Sequence, residues 1–455
     1  MDHDPSIPCA GHLRMAGRWE LPRALMGGTA IMRAAGQRWL PRHPAESERH
    51  YQTRLARTVL RNHFRRAVQT LVGKVFSRPL LLGPDVPAPL VAMMEDVDLT
   101  GRHLDVFARD VFADALVHGL SHVLVDYPAV APGRTLAEER ATGARPYAVH
   151  VRADQVIGWR AERVAGGVER LAQLRIRETA VEPDGRFGER AVERVRVLEP
   201  GRWQVWRPVS PDGAWAVVEE GRTSLAEIPL VTVYAERVGF MEAAPPLEDL
   251  AWLNLEHWQI RSDQRNALNV TSFPILAAAG WNRDGDGQVE FGPNKFLTTG
   301  DPAGRFYYVE SGGAHLAAGR AELEALEEAM RLFGLQFETT HGGAATATGR
   351  AIDAAEGAAP LKAWARAMAD ALENMLVLFA RWQGLGEDGG SVTTEPESGL
   401  PPGGGDVEAL LAARQAGDLS RATLLGELKR RRVLADDVDP AGEAKAVADE
   451  TAAAA

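Results

Sequence analysis

Residues 246–281 read PLEDLAWLNLEHWQIRSDQRNALNVTSFPILAAAGW, and the rest of the chain is best read outward from them. A proline followed by Glu248 and Asp249 marks a helix start, because early carboxylates complement the free N–H groups of a first turn. Leu250, Leu253, His257, Ile260 and Gln264 fall on one stripe at three- and four-residue spacing. Trp252, Leu255 and Trp258 lie off it, so apolar residues cover more than one face. Helix to Val270 makes a rod of roughly 35 Å. Pro274 breaks the pattern, and Phe273 to Trp281 reads as a short buried strand. A long helix that is apolar on several sides needs neighbours on several sides, from its own chain or from copies of itself in a ring.

The chain has 455 residues, 45% hydrophobic and 25% charged, the composition of an ordinary globular protein with room for several domains. A single cysteine, Cys9, excludes a disulfide framework or a cysteine-rich zinc site and suits a reducing compartment. With no signal-like N-terminus and no apolar run near 18 residues, neither secretion nor membrane spanning is expected. The net charge of −11 is uneven. Residues 1–80 carry 14 Arg and Lys against 5 Asp and Glu, so +9 sits there and −20 on the remainder. Such an acidic protein is poorly suited to gripping DNA, which needs many phosphate contacts.

Residues 1–45 read as loosely organised. Tyr51 to Phe76 reads as one helix with Leu55, Val59, Phe64, Val68, Leu71 and Val75 inward, and Arg57, Arg61, Arg65 and Arg66 mostly off that stripe. Leu104 to His118 is a second helix, with Val106, Phe107, Val111, Ala115 and Leu116 inward and Gly119 as its cap. Ser121–Tyr127 is a buried strand. Further strands are expected at Tyr147–Val151, Leu171–Glu178, Arg190–Leu198, Trp203–Pro208, Ala214–Glu219 and Leu230–Tyr234, with Asp184-Gly185 and Asp212-Gly213 as turns. A second small β region spans Phe273 to Val309. Glu322 to Phe337 is helical, with Leu323, Leu326, Met330, Phe333 and Phe337 on one face and Glu322, Glu324, Glu327 and Glu328 largely opposite. Thr339 to Arg350 lacks apolar bulk and reads as a mobile loop. A helix kinked at Pro360 then keeps Leu361, Trp364, Met368, Leu372, Met375, Phe379 and Trp382 in a stripe. After a Gly- and Pro-rich linker with one strand at Ser391–Thr394, a helical tail runs from Val407 to about Leu434.

The chemical motifs are sparse. His118 and His122 have a zinc-helix spacing, but the middle Glu is missing and Gly119 separates them, so two histidines at a helix–strand corner is the plainer reading. Asn282-Arg-Asp-Gly-Asp-Gly287 resembles half a calcium loop, yet position twelve is Pro293, so Asp-Gly turns account for it. No phosphate-binding glycine loop or nucleophile elbow is present. Asp249 and Asp263 form a nominal acid–base pair that nothing singles out. Trp252, Trp258, Trp364 and Trp382 have the spacing of core or interface rather than of a base-stacking platform. Neither an enzyme nor a cofactor is expected.

The order of elements, together with particular stretches, resembles the portal proteins of tailed double-stranded DNA bacteriophages, in a portal-like subgroup catalogued mainly as a family of unknown function. The stretches are Tyr51–Pro79, Phe107–Pro128 with its VLVDYP ending, Arg145-Pro-Tyr147, PLEDLAWLNLEHWQIRSDQRNAL followed by FPIL, Thr346–Glu356, and the tail from Leu419 to Pro440. They cover residues 50–440, and Gly349 departs from the pattern, where a larger, often acidic residue is expected.

The resemblance implies an α+β portal fold assembled as a ring, usually of about twelve subunits. It divides the chain into an N-terminal arm (1–45), a wing that is helical and then β-rich (46–245), a first stem helix (246–272) and a clip (273–318). A second stem helix (319–338), a tunnel loop with the start of a long helix (339–359), the long wing helix and following linker (360–405), and a crown with a tail (406–455) complete it. Thr339, Thr340, His341, Gly342, Gly343, Thr346, Thr348 and Arg350 are then the tunnel loop facing DNA. Glu322, Glu324, Glu327 and Glu328 are the channel-facing stem, and Asn282, Arg283, Asp284, Asp286, Lys295 and Arg305 are a clip docking surface. The implied partners are other copies of the chain, the major capsid protein, the terminase large subunit, a head–tail adaptor, and double-stranded DNA passing without sequence specificity. The implied location is the virion vertex, after assembly in the host cytoplasm. Two alternatives stay open: a ring-forming head-completion protein without a DNA channel, and a soluble enzyme using surface carboxylates.

Overall fold

The computed structural model describes residues 4–128, 143–209, 214–272, 275–280, 301–309, 314–335, 347–394 and 404–430, with short pieces at 433–434, 439 and 442–443. They divide into two compact units, Met1–Gly334 with Ala363–Pro396, and Leu335–Lys362 with Glu397–Ala455. No helix among the described residues is long and apolar enough to cross a membrane.

The N-terminal residues are built into the core of the first unit. Helix α1 (Ala10–Gly27) runs through Pro22 and buries Met15, Trp19, Ala24 and Leu25, and α2 (Thr29–Ala34) buries Met32. Trp19 donates its indole N–H to the His118 carbonyl at 2.8 Å. The expectation of a loose arm at 1–45 fails because the buried residues of α1 lie on several of its sides, leaving no single stripe to recognise.

The helix expected over Tyr51–Phe76 is two helices, α3 (Glu48–Arg57) and α4 (His63–Val75). Thr58 leaves the first in extended conformation at φ −72° and ψ 126°, and its hydroxyl bonds the Arg54 carbonyl. Asn62 caps the second by accepting from the Arg65 N–H at 2.9 Å. Val59, expected inside, sits at the break and is 48% exposed. Two more helices follow, α5 (Ala88–Met94) and α6 (Leu104–His118); Phe107, Val111, Ala115 and Leu116 of α6 are fully buried, whereas Val106 faces solvent.

Strand β1 (Leu81–Leu82) lies between α4 and α5. Beyond α6, β2 (Leu120–Asp126) is the middle strand of a three-stranded sheet, flanked by β3 (Tyr147–Val151) and β9 (Leu230–Tyr234). A five-stranded meander consists of β4 (Val156–Arg163), β5 (Glu169–Asp184), β6 (Gly188–Glu199), β7 (Arg202–Pro208) and β8 (Trp215–Arg222). Every strand pairing among the described residues is antiparallel, so the architecture is mixed α+β. Leu124, Val156, Leu174, Ile176 and Met241 form a core that joins the two sheets. β5 and β6 outrun their neighbours: residues 177–184 and 188–194 pair only with each other among the described strands, and Phe187 at the turn is 89% exposed.

Short strands β10 (Arg237–Gly239) and β11 (Glu242–Ala243) lead into α7 (Glu248–Thr271), about 36 Å long. Its buried line is Leu250, Asn254, Trp258 and Ser262, with Ala251, Leu255 and His257 beside it. The stripe expected from apolar spacing is rotated from this line, since Leu253, Ile260 and Gln264 are only half-buried. Strands β12 (Ile275–Ala279) and β13 (Arg305–Val309) pair as a hairpin, followed by α8 (Ala314–Leu335) and α9 (Ala347–Gln383). Leu361, Met368, Leu372, Met375 and Phe379 of α9 are buried as expected, and β14 (Val392–Thr393) returns to pair with β1. In the second unit, the helical tail of the sequence reading consists of α10 (Gly404–Ala416) and α11 (Arg421–Arg430), and Ser420 caps α11.

Gly119 closes α6 at φ 91°, donating its N–H to the Ala115 carbonyl at 2.7 Å. A Cβ there would stand 2.2 Å from the Ala244 carbonyl oxygen, a backbone atom with no flexible end to move. Gly119→Ala therefore combines a left-handed backbone with overpacking and is expected to destabilise the fold by about 2–4 kcal/mol, read as a lowered urea midpoint.

Candidate functional site

The segment from α7 to α9 is where the sequence placed its functional residues. The chain leaves α7 into β12 and returns along β13 into α8, with Ile275 opposite Val309 and Ala279 opposite Arg305. Successive side chains of a strand point to opposite faces, and Tyr307 and Tyr308 are 48% and 62% exposed, so each face of the hairpin presents an exposed tyrosine, whereas Leu276, Ala277 and Phe306 are half-buried. Arg305 is exposed at the end of β13. Asn282, Arg283, Asp284, Asp286 and Lys295 lie outside the described residues, as do Thr339, Thr340, His341, Gly342, Gly343 and Thr346. Thr348 and Arg350 do not belong to a loop. They are helical, within the first turn of α9, because the alanine-rich run from Ala347 favours helix enough to carry Gly349.

The four glutamates of α8 separate. Glu322 and Glu324 are exposed, with Glu324 paired to Arg320 at 2.8 Å, and Glu328 pairs with Arg331 at 2.8 Å. Exposed pairs of this kind contribute little to stability. Glu327 instead turns into the subunit, where it bonds the Arg61 guanidinium and lies 3.1 Å from His257 Nε2. Burial opposes its ionisation, yet Arg61 and His257 hold its carboxyl below the ordinary range. Arg61, which the sequence places off the apolar stripe, is thus engaged within its own chain.

The root of α7 is tied down by polar side chains that the apolar pattern could not show. Asn254, with no exposed surface, accepts from the Phe64 N–H at 3.0 Å and donates to the Arg61 carbonyl at 2.9 Å, satisfying the entry of α4. Arg54 is buried on α3 and bonds Glu46 through two nitrogens at 2.9 and 2.8 Å, the Pro41 carbonyl at 2.9 Å and Asp263 of α7 at 3.2 Å. The guanidinium holds Glu46 below the usual carboxylate range against the effect of burial. Thr58 and Ser262 share a hydrogen bond of 2.8 Å beside it. Of the four tryptophans, Trp258 is fully buried and Trp252 is 52% exposed. Trp364 and Trp382 are half-buried, their indole N–H groups bonded to the Ala235 and Val125 carbonyls.

A second polar cluster surrounds Asp114 and borders a cavity of about 710 Å³. His118 Nδ1 lies 2.8 Å from Asp114 Oδ1, while Ser121 Oγ and the Ala153 N–H donate to Oδ2 at 2.8 and 3.2 Å. His150 Nε2 is 2.9 Å from Ser121 Oγ. These are the residue types of a nucleophilic triad, but Ser121 has no exposed surface and donates its hydroxyl hydrogen bond to the carboxylate, so the arrangement works as a structural knot. Burial opposes ionisation of Asp114, and His118 and His150 more than offset it, holding the carboxyl well below its ordinary value. His122 turns away from His118 to bond Thr232 at 2.9 Å, and burial pushes its imidazole down to about 3.

Residues 246–383, spanning α7 to the end of α9, match the model of a domain of unknown function, DUF4055. No curated protein matches the chain significantly. Among solved structures, the chain is similar to one from the virion of a native gene transfer agent particle, at 13% identity over 81% of this chain and 88% of that one, with a TM-score of 0.39. It is similar as well to a chain from the neck of the native particle computed with C12 symmetry, at 12% identity over 82% and 88%, TM-score 0.41. A third, from the neck of the empty particle computed with C6 symmetry, gives 12% identity over 79% and 88%, TM-score 0.43.

Removing Arg54 leaves Glu46 as a buried, uncompensated charge, so Arg54→Ala is expected to lower stability by about 3–5 kcal/mol in a urea titration. The second expectation concerns acid. His122 ordinarily titrates at 6.5 and is depressed in the fold, so the unfolded chain takes the proton first. The stability it contributes is full above pH 6.5 and is lost as pH falls toward 3; Asp114 adds a further loss below its ordinary value of 3.8. Urea midpoints measured from pH 7 to 3 should fall steadily, and His122→Gln should flatten the decline between pH 6.5 and 4.

Proposed function

We propose that this chain is a bacteriophage portal subunit, a structural component of a homo-oligomeric ring through which double-stranded DNA enters and leaves a capsid. The observation that carries the reading is the α7–hairpin–α8–α9 succession within the span of the matched domain, with α7 rooted in the core and the hairpin presenting an exposed tyrosine on each face. A two-stranded hairpin has little stability alone. A ring of identical subunits supplies the missing neighbours by symmetry.

In this reading α7 and α8 are the stem and residues 273–318 the clip, where the terminase large subunit docks during filling and a head–tail adaptor afterwards. The major capsid protein surrounds the ring. Glu322, Glu324 and Glu328 remain exposed, Glu324 and Glu328 one turn apart on one face, and acidic groups repeated around a channel repel the phosphate backbone and keep a sliding duplex centred. Glu327 is excluded from that set by its bond to Arg61. Passage needs neither sequence recognition nor catalysis by this chain, and the ring resides in the virion.

Mass photometry and negative-stain imaging of the full chain at physiological salt test the reading. Closed rings of about twelve copies with a central hole are expected. If only monomer is found, the chain is mixed with its own procapsids, and a monomer that joins no ring there overturns the proposal.

A further inference from the structure

Three side chains from three helices meet beside the root of α7. His63 opens α4, His257 lies midway along α7 and Glu327 projects from α8, and their ligating atoms all lie within 4.8 Å of one another. His257 is completely buried, with Nε2 3.1 Å from Glu327 Oε1. The two imidazoles stand edge to face with centroids 5.5 Å apart. His257 Nδ1 and His63 Nε2 are buried with no hydrogen-bond partner among the described residues. Buried polar atoms are nearly always satisfied, so the orphaned His63 Nε2, on a residue of the same cluster as the His257–Glu327 pair, calls for an explanation.

We infer that His63, His257 and Glu327 form a binding site for a divalent cation of the zinc class, which fastens α4, α7 and α8 to one another. Two imidazoles and a carboxylate are the donor set of an open zinc site, with the fourth position left to water. Imidazole donors also disfavour magnesium and calcium, which take oxygen ligands. A tetrahedral ion with bonds of about 2.0–2.1 Å holds its ligand atoms about 3.4 Å apart. Since His257 and Glu327 already stand 3.1 Å apart, binding draws the pair and His63 together by at most about 1.4 Å, a side-chain rotation. Arg61 now supplies positive charge to Glu327, and with 52% of its side chain exposed it is free to swing into solvent when an ion arrives. The backbone beside His63 stays fixed meanwhile, because Asn254 holds the Arg61 carbonyl. The site lies within one subunit and does not depend on the portal reading.

The test is calorimetric titration of the EDTA-stripped full chain with zinc chloride, with magnesium chloride as a control and circular dichroism to confirm folding. One saturable zinc per chain is expected, with a raised melting temperature. Losing an outer-shell partner typically weakens a metal site 10–100-fold, so loss of a direct ligand in His63→Ala or Glu327→Gln should weaken zinc at least about 100-fold. His50→Ala, on the exposed side of α3, should bind as the parent chain does, and Arg61→Ala should bind more tightly. A chain that takes up no zinc saturably, or whose His63→Ala and Arg61→Ala variants bind as the parent does, overturns the site.

Discussion

Burial of one line of side chains on α7, from Leu250 through Asn254 and Trp258 to Ser262, is the constraint on which the first unit depends. Two of the four are polar, and each meets a partner from a segment about 190–205 residues away in sequence. Desolvating an amide or a hydroxyl is unfavourable unless its bonds are restored, so this line tolerates only one register against α3 and α4. The break between those helices is the counterpart of that demand: Thr58 and the Arg61 carbonyl are presented to α7 only because the chain leaves helix there.

The same logic recurs at the sheet. Asp114 on α6 gathers Ser121 from β2, the Ala153 N–H and two histidines, so one buried charge is shared among helix, strand and turn. Arg54 plays the equivalent part for the helices. Hydrophobic residues of similar volume can match such buried ions for stability, but an ion with several directional bonds admits far fewer alternative packings.

What the sequence made legible follows from range. Strands at Tyr147–Val151 and Leu230–Tyr234, the Asp184-Gly185 turn and the Gly119 cap are local signals, and the structure contains each of them. β4 escaped because its solvent half, Arg160-Ala-Glu-Arg163, has no apolar alternation. The buried line of α7 escaped because Asn254 and Ser262 do not register as core, so apolar spacing selected the neighbouring line through Leu253 and Ile260. Glu327 is the sharpest case: it borders the apolar face of α8, one turn from Leu323 and Met330, but its partners His257 and Arg61, 70 and 266 residues away, leave no local signal.

The overhanging ribbon of β5 and β6 bears on how separate copies of the chain avoid sticking to one another. A long free strand edge tipped by a bare phenylalanine is a template on which chains pair indiscriminately. Here the ribbon is laced by charge, with Glu178 against Arg194 at 3.2 Å, Glu182 against Arg190 at 3.2 Å and Arg177 reaching Glu193 at 3.2 Å. A foreign strand added to that edge must set its own side chains among alternating charges, which a generic apolar segment cannot match. The ribbon is therefore guarded against amyloid-like stacking of one copy of the chain on another.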